Sequence, residues 1–176
     1  MNRGGLACLL LALMQTATAQ VAIGARDVRG LSARWAEYYA RLYRVPVDLV
    51  DAIIDEESGW NPYAISDKGA AGLMQLMPQT AVRFGVRNRF RVDENIRGGV
   101  AYLAWLNHEF KGDLRLVTAA YYVGETPILS RRLEYSSADV QGYVNRVARR
   151  YRARRRQQAR VESAEQRELE VEHEHP

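Results

Sequence analysis

Cysteine is almost absent. Cys8 is the only one in 176 residues, and it falls within the first ten. A disulfide framework is therefore excluded, and so is a structural zinc held by thiolates. The fold must rest on its own apolar core, which the roughly 125 residues ahead of the charged tail can supply. A membrane-spanning run is missing too: the apolar stretch Leu6 to Met14 is too short to cross a bilayer as a stable helix. Set between Arg3 and the small residues Ala17 to Ala19, it predicts a secretory signal peptide over residues 1–19. Cys8 precedes the end of that stretch, too early for lipid attachment. The body of the chain also lacks any charge surplus. Residues 20–145 carry 15 Lys/Arg against 15 Asp/Glu, whereas residues 146–176 carry 9 Arg against 6 Glu. The excess of positive charge belongs to the tail, so no nucleic-acid partner is expected.

Helical periodicity dominates what is present. After a linker over residues 20–30, Leu31, Trp35, Tyr38, Tyr39 and Leu42 recur at helical spacing, with Ser32 as the expected cap. Pro46 opens a second helix that ends near Ser58, before Asn61-Pro62. Residues 59–76 have no helical period. Gly69 and Gly72 mark them as a loop or a short β segment. Pro78 starts a short helix closed by Gly85. Asp93 to Phe110 reads as a long helix with Ile96, Val100, Leu103 and Leu106 as its apolar stripe. Asp113 caps the next helix, which Gly124 ends. A turn around Pro127 then precedes a last helix from about Ala138, with Val140, Tyr143, Val144, Val147 and Tyr151 on one face. The sequence predicts one mainly α domain over residues 31–150. Residues 151–176 are a charged tail, either a helical extension or a solvated arm. Its arginines suit anionic membrane lipid or wall polymer.

One segment carries a chemical signal. In "IIDEESGWNP", residues 53–62, three acids follow one another. At 100° per residue Asp48, Asp51 and Asp55 cluster within about 60°, as the wet face. Val50, Ile53 and Ile54 centre on the opposite side, and Glu57 continues that apolar side. Glu56 points between the two faces. A carboxyl group aimed at apolar surroundings keeps its proton to higher pH, the property a general acid needs. A helix-terminal cap is the plainer role for the same residue.

The surrounding residues narrow the choice. "ESGWNPYAISDKGAAGLMQLMPQTA", Glu57 to Ala81, resembles the lytic transglycosylases of the soluble Slt type in the goose-lysozyme-like superfamily. That family's order is ES, then NP, a Ser, and GA-x-GLMQ-x-MP-x-TA. "ENIRGGVAYLAWL" at 94–106 resembles a second block. "AAYYVG" at 119–124 meets the family's AAYNAG only in part, with Tyr122 and Val123 where Asn and Ala are usual. "ADVQGYV" keeps Gly142, Tyr143 and Val144, with Asp139 in place of a family Glu.

The resemblance implies a mainly α, lysozyme-like fold and an exported enzyme of the periplasm or cell envelope that cleaves peptidoglycan glycan strands. The cut falls between N-acetylmuramic acid and N-acetylglucosamine without water, leaving 1,6-anhydro ends. It implies Glu57 as the catalytic acid and base, and Ser66 and Gln75 as polar contacts to the sugars. Met77 becomes part of the apolar cleft wall, and Tyr121 a cleft tyrosine near the scissile bond or the glutamate. Gly72 becomes a point of close approach to the sugar. No cofactor and no metal are implied, and a monomer is expected. Two alternatives remain. One is a lysozyme-type hydrolase with Asp139, Asp67 or Glu125 as base. The other is an accessory component of a secretion or conjugation apparatus.

Overall fold

The computed structural model describes residues 27–131, 134 and 137–174. The predicted signal peptide lies outside the described residues. Among the described residues seven helices follow in chain order. They are α1 (27–43), α2 (Val47–Glu57), α3 (Pro78–Arg83), α4 (Val92–Glu109), α5 (Leu114–Val123), α6 (Glu125–Arg131) and α7 (Ala138–Glu174). The β content of the described residues is two isolated antiparallel bridges, Ile65 with Ala71 and Ala71 with Leu76. Helix α6 replaces the expected turn, with Pro127 in its first turn, where a missing N–H costs no helical bond. Residues 27–30, assigned to a linker on sequence, belong to α1.

α4 runs through the core, and its predicted stripe Ile96, Val100, Leu103 and Leu106 is wholly buried. Gly99 on the same helix lets Met74 press against the backbone: a Cβ there would meet the Met74 sulfur at 2.4 Å. α2 buries Leu49, Val50, Ala52, Ile53 and Ile54, and α7 lies across both α2 and α5. α1 departs from its predicted face. Ala36 and Ala40 enter the core, while Leu31, Tyr38 and Leu42 are exposed. The small residues let the helix approach closely, and Trp35, Tyr39 and Tyr43 form a stacked row along the contact edge. Ser32 is not a cap. It is fully buried inside α1 and donates to the Val28 carbonyl at 2.7 Å.

The Gly-rich loop between α2 and α3 is held by side chains from the α3–α4 region rather than by a sheet. Asn95, buried in the first turns of α4, donates to the Ala71 carbonyl at 3.0 Å and the Arg89 carbonyl at 2.8 Å, and accepts from the Met74 N–H at 2.8 Å. Arg89 donates to the Gly69 and Leu76 carbonyls at 2.6 and 2.9 Å. Gly72 sits against this pin at φ 83°, and a Cβ would fall 2.1 Å from the Arg89 oxygen and 2.2 Å from the Asn95 amide nitrogen. Its glycine requirement comes from packing against α4 and the chain before it. The expected role of Gly72 as a point of approach to sugar is not what demands a glycine here.

Asn95 is the buried amide of this pin. Asn95→Ala takes the partner from the Met74 N–H and the Arg89 carbonyl, while the Ala71 carbonyl keeps the Leu76 N–H at 3.0 Å; each group left unpaired costs about 1–3 kcal/mol before relaxation. The expected result is a loss of roughly 2 kcal/mol or more in chemical denaturation. A loss under about 1 kcal/mol would show that the loop is held by other contacts.

Candidate active site

A groove of about 790 Å³ runs between the Gly-rich loop and the α5–α7 side of the domain. Glu57, the last residue of α2, lines it. Ser66, Gln75 and Met77 line it from the loop, Tyr121 and Tyr122 from α5, and Asp139 and Val140 from the first turn of α7. The structure thus brings together five of the six residues singled out from sequence. Gly72 does not line the groove.

Helix α2 ends where Glu57 can face this space because Ser58 stops it. The Ser58 N–H donates to the Ile54 carbonyl at 3.1 Å, and its hydroxyl donates to the Leu73 carbonyl of the loop at 2.8 Å. Gly59 and Trp60 then take positive φ, turning the chain away. Trp60 is buried, and its indole N–H donates to Asp55 at 2.6 Å. The helix end is stapled on both sides of the glutamate.

Glu57 itself is largely buried, as its place on the apolar side of α2 predicts. Burial pushes its carboxyl pKa up to about 7. The Tyr143 hydroxyl opposes that rise by donating to Oε1, and the nearby charge of Glu56 adds to it. Tyr143 was placed on sequence only in the apolar face of the last helix. Periodicity does not reveal that its hydroxyl ends at the carboxyl group; the retained Gly142-Tyr143-Val144 block was the available signal.

Tyr121 lines the groove as expected of a cleft residue, and its hydroxyl donates to the Met74 carbonyl at 2.7 Å, so it ties α5 to the loop. Burial and then the Glu57 charge raise its pKa well above the usual range. Gln75, at φ 46°, donates both amide hydrogens within the loop, to Ala64 at 3.0 Å and Gly72 at 2.9 Å. Only its amide oxygen is left for a ligand. The Ser66 hydroxyl accepts from the Ala70 N–H at 3.0 Å, which closes the turn at Gly69. Met77 is 38% exposed at the groove, while Met74 is fully buried.

Asp51, Asp55 and Glu56 of α2 are not a solvated face. Arg146, Arg150 and Arg154, spaced four apart on α7, lie over them. Arg146 and Arg150 both pair with Glu56, the latter at 3.1 Å. Arg154 pairs with Asp51 at 3.2 Å and with Asp55. Asp51 Oδ1 is buried without a hydrogen-bond partner, and burial raises this carboxyl to about 6 despite Arg154. Helical wheel arithmetic separated Glu57 from its neighbours correctly. It assigned Asp51 and Asp55 to water because the covering helix was not in view.

Two outcomes follow from this electrostatics. Glu57 has a folded-state pKa above its ordinary 4.5, so the folded chain holds a proton that the unfolded chain releases. Stability is therefore full below about pH 4.5 and falls as pH rises toward 7. Glu57→Gln keeps an acceptor for Tyr143 but removes this loss. The variant is expected to match the wild type near pH 4 and to be more stable by about 2–4 kcal/mol at pH 8. Denaturation curves at the two pH values decide it; an equal difference at both would contradict a buried, proton-holding carboxyl. Separately, Tyr143→Phe deletes the one contact that lowers the Glu57 pKa. Carbon-13 NMR titration of the glutamate should then find its midpoint moved upward, and an unmoved midpoint would remove Tyr143 from this role.

Known proteins share this architecture. The Transglycosylase SLT domain family matches residues 34–142, stopping one residue short of Tyr143. The "Membrane-bound lytic murein transglycosylase F" of Desulfosudis oleivorans is 42% identical over 82 residues, 43% of this chain and 18% of that protein. The "Transglycosylase" of Enterobacteria phage PRD1 is likewise 42% identical over 82 residues, 47% of this chain and 31% of the phage protein. The chain thus spans less than a third of the length of these relatives. Among solved structures, the 70 kDa soluble lytic transglycosylase of Escherichia coli superimposes with a TM-score of 0.60 at 26% identity, over 67% of this chain and 23% of that one. An inactive mutant of the lytic transglycosylase Slt of Pseudomonas aeruginosa gives 0.59 at 26% identity, over 66% and 22%. Because the family match runs through more than half of the chain and takes in both Glu57 and the loop that faces it, the chain belongs to the transglycosylase SLT domain family.

Proposed function

We propose that this protein is a peptidoglycan lytic transglycosylase of the cell envelope, in which Glu57 alone serves as acid and base. One observation carries the reading: a single largely buried carboxyl group, with a pKa near 7, faces a groove large enough for several sugar rings. In the first step Glu57 donates its proton to the oxygen of the bond between N-acetylmuramic acid and N-acetylglucosamine. The C1–O bond breaks, and positive charge develops at C1 of the muramic ring. In the second step the Glu57 carboxylate takes the proton from the C6 hydroxyl of that same ring. O6 then bonds to C1, and the 1,6-anhydro product leaves with Glu57 protonated again. No water enters the balance, and no cofactor takes part.

The residues around Glu57 support this division of labour. Tyr143 holds Oε1, which leaves Oε2 to carry the transferable proton. A pKa near 7 keeps both protonation states accessible at neutral pH. The Gln75 amide nitrogen is held within its loop, which leaves the amide oxygen for an N-acetyl N–H or a sugar hydroxyl. Ser66 and Met77 line the same side of the groove as polar and apolar contacts to the strand. Glu125 is a poor second base, since Arg83 and Tyr102 occupy its two oxygens at 2.7 and 3.0 Å. Asp67 and Asp139 do line the groove, and they are the candidates for activating water if the reaction is a hydrolysis.

Digestion of purified peptidoglycan followed by mass spectrometry tests both parts. The expected products carry 1,6-anhydro ends, and Glu57→Gln should lower the rate by about 10³-fold or more while the protein stays folded. Reducing ends would replace transglycosylation by hydrolysis. Undiminished activity in the variant would remove Glu57 from the chemistry.

A further inference from the structure

Tyr122 is one of the two residues, with Val123, at which "AAYYVG" departs from the block it resembles, and beyond lining the groove it has so far been given no role. Consecutive residues on a helix point about 100° apart. Tyr121 accordingly turns inward to Met74, while Tyr122 turns to the groove, where 43% of it is exposed. Its ring stacks on Tyr143, with centroids 4.5 Å apart and planes inclined by 16°. Tyr143 is the donor to Glu57. A continuous path therefore runs from the groove surface, through two stacked rings, to the oxygen of the buried carboxyl group.

We propose that Tyr122 is a substrate-positioning residue: its ring braces Tyr143 against Glu57, and its exposed part forms a shelf for a saccharide ring beside the acid. The first half follows from packing. The phenol of Tyr143 turns about two side-chain bonds, and its hydroxyl meets the carboxyl oxygen only while the ring plane is held. The Tyr122 ring covers one face of it with apolar area. The second half follows from the chemistry of the exposed edge. A pyranose presents C–H groups of slight positive charge on its flat side, and an aromatic ring presents a negative face and a broad apolar area. The loop opposite offers polar contacts, chiefly the Gln75 oxygen, whereas Tyr122 supplies an aromatic surface to the same groove. A sugar packed between them would touch hydrogen-bonding groups on one side and an apolar ring on the other, the usual division in a saccharide-sized site. The class of ligand is a β-1,4-linked N-acetylated glycan.

This inference rests on the reading of the groove as a glycan site, and its test does not need turnover. The probe is chitotetraose, the β-1,4 tetramer of N-acetylglucosamine. Its dissociation constant is measured calorimetrically on the Glu57→Gln protein, alone and combined with Tyr122→Ala or Tyr122→Phe. The Glu57 midpoint is measured by carbon-13 NMR in proteins that keep the glutamate. Tyr122→Ala should weaken chitotetraose binding by about five- to twentyfold and move the Glu57 midpoint upward, toward its position in Tyr143→Phe. Tyr122→Phe keeps the ring and should restore both. Unchanged affinity in the alanine variant would overturn the shelf, and an unchanged midpoint would overturn the brace. A phenylalanine variant that behaves like alanine would also overturn the proposal, because the hydroxyl and not the ring would then matter. If the parent protein binds chitotetraose well yet yields no anhydro products from peptidoglycan, the reaction assignment fails while the role of Tyr122 is still read directly.

Discussion

Everything at this site depends on holding one carboxyl group out of water while giving it a single hydrogen-bond donor. Burial alone would push Glu57 far up the pH scale and leave it a permanent acid. A dense set of donors would pull it down into the range of an ordinary carboxylate. Tyr143 supplies the intermediate case, a neutral donor to one oxygen, and the outcome lies near 7. α2 stops at Glu57, and the Ser58 hydroxyl that follows ties the helix end to the Leu73 carbonyl of the loop. The Ser58 staple and the Trp60 bond to Asp55 therefore fix the helix end that carries Glu57, although neither touches its carboxyl group.

Helix α7 meets α2 with two faces at once. Its apolar side sends Val140, Tyr143 and Val147 into the core, and Tyr143 arrives at Glu57 as part of that packing. Its polar side lays Arg146, Arg150 and Arg154 along Glu56, Asp51 and Asp55. Exposed ion pairs are individually weak. Here they act on the electrostatics of the site as well as on stability. Glu56 adjoins Glu57 and its charge raises the Glu57 pKa, while Arg146 and Arg150 pair with Glu56 itself. The arrangement has its own strain, since Asp51 keeps one buried oxygen without a partner. Two carboxyl groups with raised pKa values on one helix mean that folding and proton release oppose each other there, a common feature of functional sites.

The same geometry explains what could be read from the residues and what could not. Local signals sufficed for α2 to α5 and α7, though not for α6, for the α4 stripe and for the Gly124 stop, because spacing and caps are properties of one segment. Glu57 was separable from Asp55 and Glu56 by helical phase alone. Tyr143 and the arginine ladder were not, because their partners lie 86 to 103 residues away in sequence. Phase shows that Tyr143 is on an apolar face but not where its hydroxyl ends. Helix α1 misled for a related reason. Its large side chains suggested the buried face, yet close packing selected the alanines. Gly72 reads as a required glycine, but only the fold shows that the Arg89 carbonyl and the Asn95 amide lie against it.

A pKa near 7 has a further meaning for the reaction proposed. The first step gives a proton to a weakly basic glycosidic oxygen, which a lower pKa favours. The second takes a proton from a sugar hydroxyl, which a higher pKa favours. When two groups share these tasks, each can be tuned separately. When one group does both, any shift that eases one step penalises the other, and the slower step sets the rate. An intermediate value keeps the larger of the two penalties smallest near neutral pH. The balance also demands that nothing else protonates or solvates the carboxyl between the steps, so the groove must stay occupied by sugar. A wall that holds the ring beside the acid, as Tyr122 is placed to do, then matters as much as the pKa, because it keeps the C6 hydroxyl and not a water molecule as the next group Glu57 meets.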